Sequence, residues 1–353
     1  MAPKILLPNA TTANSISIYQ PDDLSMTGSN IRHMLKMPIL NPCNLYAPHF
    51  EDQSLLDTLQ HFHHIAHGSL GHPTMLITSA GRVSSPSSVP PYLLNAFLAF
   101  SGLHLHLLNP HSLKNKLSAT CFGIRAIQLF SEEIRNGLNV RNKDAIVLCC
   151  NILSALAFHT EDSRISSSTI IFSEPEEVNW LFVMASLGAI SRQVTLQQKN
   201  TPSMTSHSTQ VEALEENSFP SNSKSSELHL RLAELCGIDT DSTAGNNPYL
   251  TAVQLIVQLE AVEPSVNHLS KFLSFLREMT PQYATLITAK DPRALLLLSY
   301  WLAKMCKIDC WWCIRRARVE YQAIFQYLDG IADGRIRILL MDLKETCWYE
   351  MTV

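Results

Sequence analysis

Glycine is scarce in this chain, at 12 of 353 residues. Glycine supplies tight turns and loops where backbone approaches a phosphate, so its scarcity argues against turn-rich β architecture and glycine-cradled nucleotides. Neither the phosphate loop G-x-x-x-x-G-K nor the dinucleotide pattern G-x-G-x-x-G occurs, and no G-x-S-x-G nucleophile elbow occurs. Charge is scarce as well, at 16% of residues with a net −4. That balance gives no electrostatic basis for nucleic-acid binding by the chain itself. No stretch is expected to reach the about 18–20 uncharged apolar residues of a membrane span; Ala294 to Ala303 is ended by Lys304. No span is therefore expected. The opening MAPKILLPNATT meets Pro8 too early to make a signal peptide.

Cysteine is present but unpaired in pattern. Nine residues, an odd number at uneven spacing, make no disulfide framework and imply a reducing compartment. Cys310 and Cys313 form a lone C-x-x-C. Structural zinc needs four ligands and so a second pair, which the sequence lacks. On a helix the two thiols share one face, and packing is the expected role. His61, His63, His64 and His67 crowd one segment, with His63 and His67 at the i,i+4 spacing that can grip a metal. The order H-I-A-H-G lacks a metalloprotease's general-base glutamate, so an ordinary histidine face is expected. His104 and His106 point in different directions on a helix. Asp22-Asp23 has no third acid beside it. Asp291, Glu260, Glu263 and Glu278 fall near helix ends, where solvation is the default. Arg315, Arg316 and Arg318 read as a solvated or partner-facing edge. No catalytic, cofactor or metal residue is assigned.

What the sequence does have is helical period. The stretch from Pro292 to Leu328 is the organising element. Its first half is apolar on every side except a strip of Arg293, Lys304 and Lys307, the pattern of a central core helix. Its second half sets Ala317, Tyr321, Ile324 and Leu328 on one stripe opposite Arg315, Gln322, Gln326 and Asp329. Further helices are predicted at 54–63, 92–108, 113–136, 145–158, 178–190, 227–237, 248–262, 269–276 and 335–348. Leu55, Leu56, Leu59, Phe62 and His63 mark the inward face of the first. The only short alternation suggesting a strand is Ser168 to Phe172. The predicted class is all-α, one large helical bundle over 49–353, preceded by an irregular arm at 1–48 and carrying a flexible insertion at about 201–226.

Five segments together resemble a known family. They are Leu55 to His67 (LLDTLQHFHHIAH), Pro91 to His106 (PYLLNAFLAFSGLHLH) and Asn139 to His159 (NVRNKDAIVLCCNILSALAFH). Asn247-Pro248-Tyr249 through Leu259 follows, and then Pro292 to Leu328 with Trp311-Trp312 before an arginine-rich helix. In this order they are similar to the C-terminal regulatory domain of fungal binuclear zinc-cluster transcription factors of the sterol uptake control type. Those factors also carry a six-cysteine DNA reader. Here the first 100 residues hold only Cys43, so no direct zinc-cluster DNA binding is expected.

The resemblance implies a regulator located in the nucleus, responsive to an apolar small molecule such as a sterol, and acting through protein partners on a sterol or secondary-metabolite pathway. The resemblance carries over a pocket but no individual contact; Trp301, Trp311, Trp312 and Tyr321 are expected first as core aromatics and are the candidate residues to line such a pocket. The alternative is a recruited biosynthetic enzyme that folds a terpenoid or polyketide for cyclisation, its aromatic faces stabilising a developing cation.

Overall fold

The computed structural model describes residues 52–64, 66–70, 89–137, 142–173, 180–199, 223–331 and 333–347. The predicted arm at 1–48, the acids Asp22 and Asp23, and most of the predicted insertion lie outside these residues. Among the described residues 78% are helical and none forms a strand, so the class is all-α.

Thirteen α-helices follow in order. They are α1 (Asp52–His64), α2 (Pro91–Leu108), α3 (Leu113–Arg135), α4 (Lys143–Phe158), α5 (Thr169–Phe172), α6 (Trp180–Lys199) and α7 (Ser223–Cys236). Then come α8 (Leu250–Glu260), α9 (Leu269–Arg277), α10 (Pro281–Thr288), α11 (Pro292–Met305), α12 (Ile314–Ile331) and α13 (Gly334–Cys347). A 3-10 turn, Ala66–Leu70, follows α1. Helix α7 begins inside the predicted insertion.

Local chemistry explains the starts and stops. Proline occupies the first turn of α2, α10 and α11, where no amide partner is needed. Asp291 caps α11 by accepting from the amides of Arg293 and Ala294, and Thr280 caps α10 through Tyr283. Helix α10 was not predicted; its Thr-Pro start is legible, but eight residues are too few to show a period. Gly137 (φ 94°) and Gly237 (φ 62°) take left-handed conformations just past α3 and α7, as C-terminal stops do. Ser168 to Phe172, the one strand-like alternation, instead folds as a single helical turn capped by the Ser168 hydroxyl.

Helix α11 is the centre of the core. Ala294 to Ala303 is buried without a break; Pro292, Arg293 and Lys304 of the helix, and Lys307 just past it, reach partial exposure. Lys304 pairs with Glu260 of α8 at 3.0 Å, and the Arg293 guanidinium lies over the Tyr249 ring. Ala317, Tyr321, Ile324 and Leu328 of α12 are fully buried against this frame. On α1 the predicted face is rotated: Phe62 is buried, but Leu56 is 46% exposed.

Two expectations are corrected. Cys310 to Cys313 lies in the turn between α11 and α12, not on a helix. Helix α2, at 18 residues and mean hydropathy 1.2, just meets the length and composition of a membrane span. Its polar Asn95, His104 and His106 dilute the apolar run less than lysines or glutamates would. More than half of it, 56%, is buried among other helices, as in a bundle helix.

Helices α6 and α9 approach closely at Gly188, where an added Cβ would stand 2.8 Å from the Arg277 Cα. Gly188→Ala is expected to lower stability by ~1–3 kcal/mol, read as a reduced urea midpoint at constant slope. Gly330, in α12 with open space around it, should respond oppositely, with Gly330→Ala adding ~0.5–1 kcal/mol.

Candidate functional site

The turn between α11 and α12 carries three polar edges, and one serine meets all of them. Trp312 donates its indole N–H to the Ser69 carbonyl at 2.9 Å, and Trp311 donates to the Ser69 hydroxyl at 2.9 Å. The Cys310 thiol also reaches the Ser69 carbonyl, at 3.4 Å. Ser69 sits in the 3-10 turn after α1, so this pairing clips the α1 segment to the core. No sequence signal marked Ser69.

The turn's thiols are not reactive groups. Cys310 and Cys313 are 2% and 0% exposed. The Cys313 thiol is held well above its ordinary range by its hydrogen bond with Cys310, by burial, and by the nearby Cys310 and Cys306. A thiol kept neutral is a poor nucleophile and a poor metal ligand. Among the described residues no cluster of three or more histidines, cysteines or acids could hold a metal. His63 is on α1, but that helix ends at His64, so the i,i+4 register with His67 is broken.

The four aromatic residues proposed to line a pocket separate into three environments. Trp301 and Trp312 share a cluster centred on Phe158, whose ring meets Trp301 at 6.0 Å, Trp312 at 6.2 Å and Trp180 at 4.7 Å, each edge-on. Trp301 also stacks on Phe275 at 5.6 Å and donates to the Phe272 carbonyl at 2.8 Å. Trp311 is only half-buried and lies apart, between Phe100, His104 and His159. Tyr321 is fully buried beside Phe325. A cavity does lie between α8, α9 and α10, lined by Pro248, Leu255, Phe275, Met279 and Tyr283 among others. Its volume is about 10 Å³, room for one water molecule. None of the four aromatics lines it.

The most unusual group is Glu320. Its side chain is 0% exposed, and every partner it meets is a donor. Trp180 donates at 2.8 Å, the Thr169 amide and hydroxyl at 3.1 Å each, and the Ile170 amide at 3.3 Å. The Ser168 hydroxyl donates as well. Arg316 stands at 3.5 Å, one helical turn earlier on α12. Arg316 also donates to the carbonyls of Phe158 and His159 at the end of α4. It is thus turned inward, unlike the exposed Arg315 and Arg318, and is not part of a solvated arginine edge. The sequence did hold a signal: Glu320 lies within the apolar stripe of α12, with an arginine four residues before it.

Beside this pair is a histidine-rich edge. His159 follows α4, and neither of its ring nitrogens has a hydrogen-bond partner. Burial lowers its pKa to about 4; Glu161 opposes the shift, while Arg315, Arg316 and His106 reinforce it. His106 approaches Glu161 at 3.4 Å, and Glu161 is bridged to Lys116 at 2.6 Å.

Compared with protein-family models, with curated proteins and with solved structures, the chain matches none.

Removing a buried carboxylate strands its donors. Glu320→Ala is expected to cost ~3–5 kcal/mol in urea unfolding. Trp180→Phe removes one donor and should cost ~1–3 kcal/mol. The double variant should cost less than the sum of the two, because both act on one network.

Proposed function

We propose that the chain is an effector domain of the kind found in the sterol uptake control family of fungal transcription regulators. On this reading it acts in the nucleus, through protein partners and an apolar small molecule, on a sterol or secondary-metabolite pathway. The observation that carries the reading is the ordered set of five resembling segments. Their buried residues, from Phe62 and Phe97 through Ile152 and Val253 to Trp301, belong to a single hydrophobic core. Segments that share one core respond together when any of them is displaced.

The mechanism is a shift between two packings. The aromatic cluster around Phe158 is closed in the present conformation, so an apolar guest would bind a state in which some of these rings have moved aside. A ligand shifts such an equilibrium only by its differential affinity for the two states. Burial of a sterol-sized surface at roughly 25 cal/mol per Å² supplies several kcal/mol, enough to reverse a modest preference for the closed state. Trp301, Trp312 and their ring partners are the groups that a guest would displace. Partner contact would carry the signal to a promoter.

The test is a tethered reporter. The full chain is fused to an unrelated DNA-binding module upstream of a reporter gene. Expression is expected to change several-fold between sterol-depleted and sterol-supplied cells. A reporter indifferent to both the fusion and the sterol supply would contradict the proposal.

A further inference from the structure

Among the contacts that fasten the described residues of Asp52 to Leu70 to the bundle are four ring and hydrogen-bond contacts. Phe62 stacks on Phe97 at 4.2 Å. The Ser101 hydroxyl donates to the Thr58 carbonyl at 2.7 Å. Ser69 receives the three edges of the double-tryptophan turn. The fourth point is a pair of imidazoles: Nε2 of His61 on α1 lies 3.0 Å from Nδ1 of His104 on α2.

We propose that the His61–His104 pair is a proton-counting latch, which stays closed with one proton added and opens with two, releasing Asp52 to Leu70 from the core on acidification. Between two neutral rings one nitrogen donates and the other accepts. A first added proton goes to the far nitrogen of the donating ring and leaves that arrangement intact. His104 can carry this charge, since its ring lies flat on Trp311 at 4.8 Å and 19°. A second added proton leaves two N–H groups and two positive charges facing each other across 3.0 Å. No acceptor remains, and the contact opens.

Burial and the neighbouring ring oppose a second charge. On α1 Asp57, one turn from His61, is the acidic group that would favour a charge there, and His63 and His64 share that helix. On α2 there is His106, on α3 Lys116, and after α4 His159 and Glu161. The Cys310 thiol of the double-tryptophan turn is engaged by the Ser69 carbonyl, and Arg315 and Arg316 of α12 act on His159, on another side of Trp311. Glu161 is already engaged by Lys116 and His106, so it does not serve the latch. Burial holds both His61 and His104 below the ordinary histidine value of 6.5, and for His104 the His61 charge adds to the effect. A lowered native pKa means that the unfolded or released segment binds more protons. The stabilisation is therefore complete above about pH 6.5 and declines as pH falls below it.

Opening would expose the Trp311 indole, the Trp312 N–H and the Cys310 thiol that now face Ser69. Acidity at α1 would thereby reach the turn that joins the two central helices.

The test is amide hydrogen exchange of the full chain at about pH 7.5 and about pH 5.5, corrected for intrinsic rates. Protection over Asp52 to Leu70 is expected to fall about tenfold or more at the lower pH, while α11 stays unchanged. His61→Gln keeps a hydrogen-bonding side chain that cannot take a proton, and it should abolish the pH dependence. His104→Gln should do the same from the other helix and serves if the first variant folds poorly. His63→Gln should retain the dependence. Protection that is pH-independent in the native chain would overturn the proposal. So would loss that spreads equally to α11, or a dependence that persists in both glutamine variants at the latch.

Discussion

Glu320 brings a negative charge to a place that water does not reach, and several separate segments are arranged to answer it. An unanswered ionised carboxylate in an apolar interior is prohibitively costly. Here the hydroxyls of Ser168 and Thr169, two amides at the start of α5 and the Trp180 indole all donate to it. The uncharged donors stand closer than the guanidinium of Arg316, so the group is held more by a ring of dipoles than by its salt bridge. Arg316 in turn satisfies two carbonyls at the end of α4. Glu320 and Arg316 together thus tie the end of α4, the start of α5 and the first residue of α6 to α12. A buried ion pair adds little over well-packed apolar residues in net stability, but the loss of one partner is severe. The network therefore fixes which surfaces meet.

The aromatic core is built against that tie. Trp180 donates to Glu320 with one edge while its ring meets Phe158, and Phe158 meets both Trp301 of α11 and Trp312 of the turn. From Trp312 and Trp311 the chain of contact runs to Ser69 and the α1 segment. The cluster needs no ligand to be complete in this conformation. A regulator of the proposed kind would use it as a closed state, with the energy of ring packing setting how much a guest must supply.

The large periodic elements were legible in the sequence because burial acts on them uniformly. The strip of Arg293, Lys304 and Lys307 on α11, and the stripe from Ala317 to Leu328, follow from 3.6 residues per turn alone. Elements shorter than two or three turns were not legible. Helix α10 and the single turn α5 carry too few residues for a period, and α5 owes its form to a carboxylate distant in sequence. The candidate site was harder still. Trp301, Trp311 and Trp312 could be singled out as large rings, but Ser69 is one serine among many. Glu320 was hidden because a charged residue on a helix is expected to face water. Its place in an otherwise apolar stripe was the available clue. The pairing of His61 with His104 joins residues 43 apart, and no local pattern encodes it.

On the proposed reading, this bundle works by changing what its partners do rather than by carrying out a reaction. Deleting the gene from its source organism, then profiling transcripts and pathway metabolites together, tests this most directly. The account predicts a coordinated change in the transcripts of several pathway genes. Normal transcripts with one accumulating intermediate would contradict it and assign the chain to a chemical step.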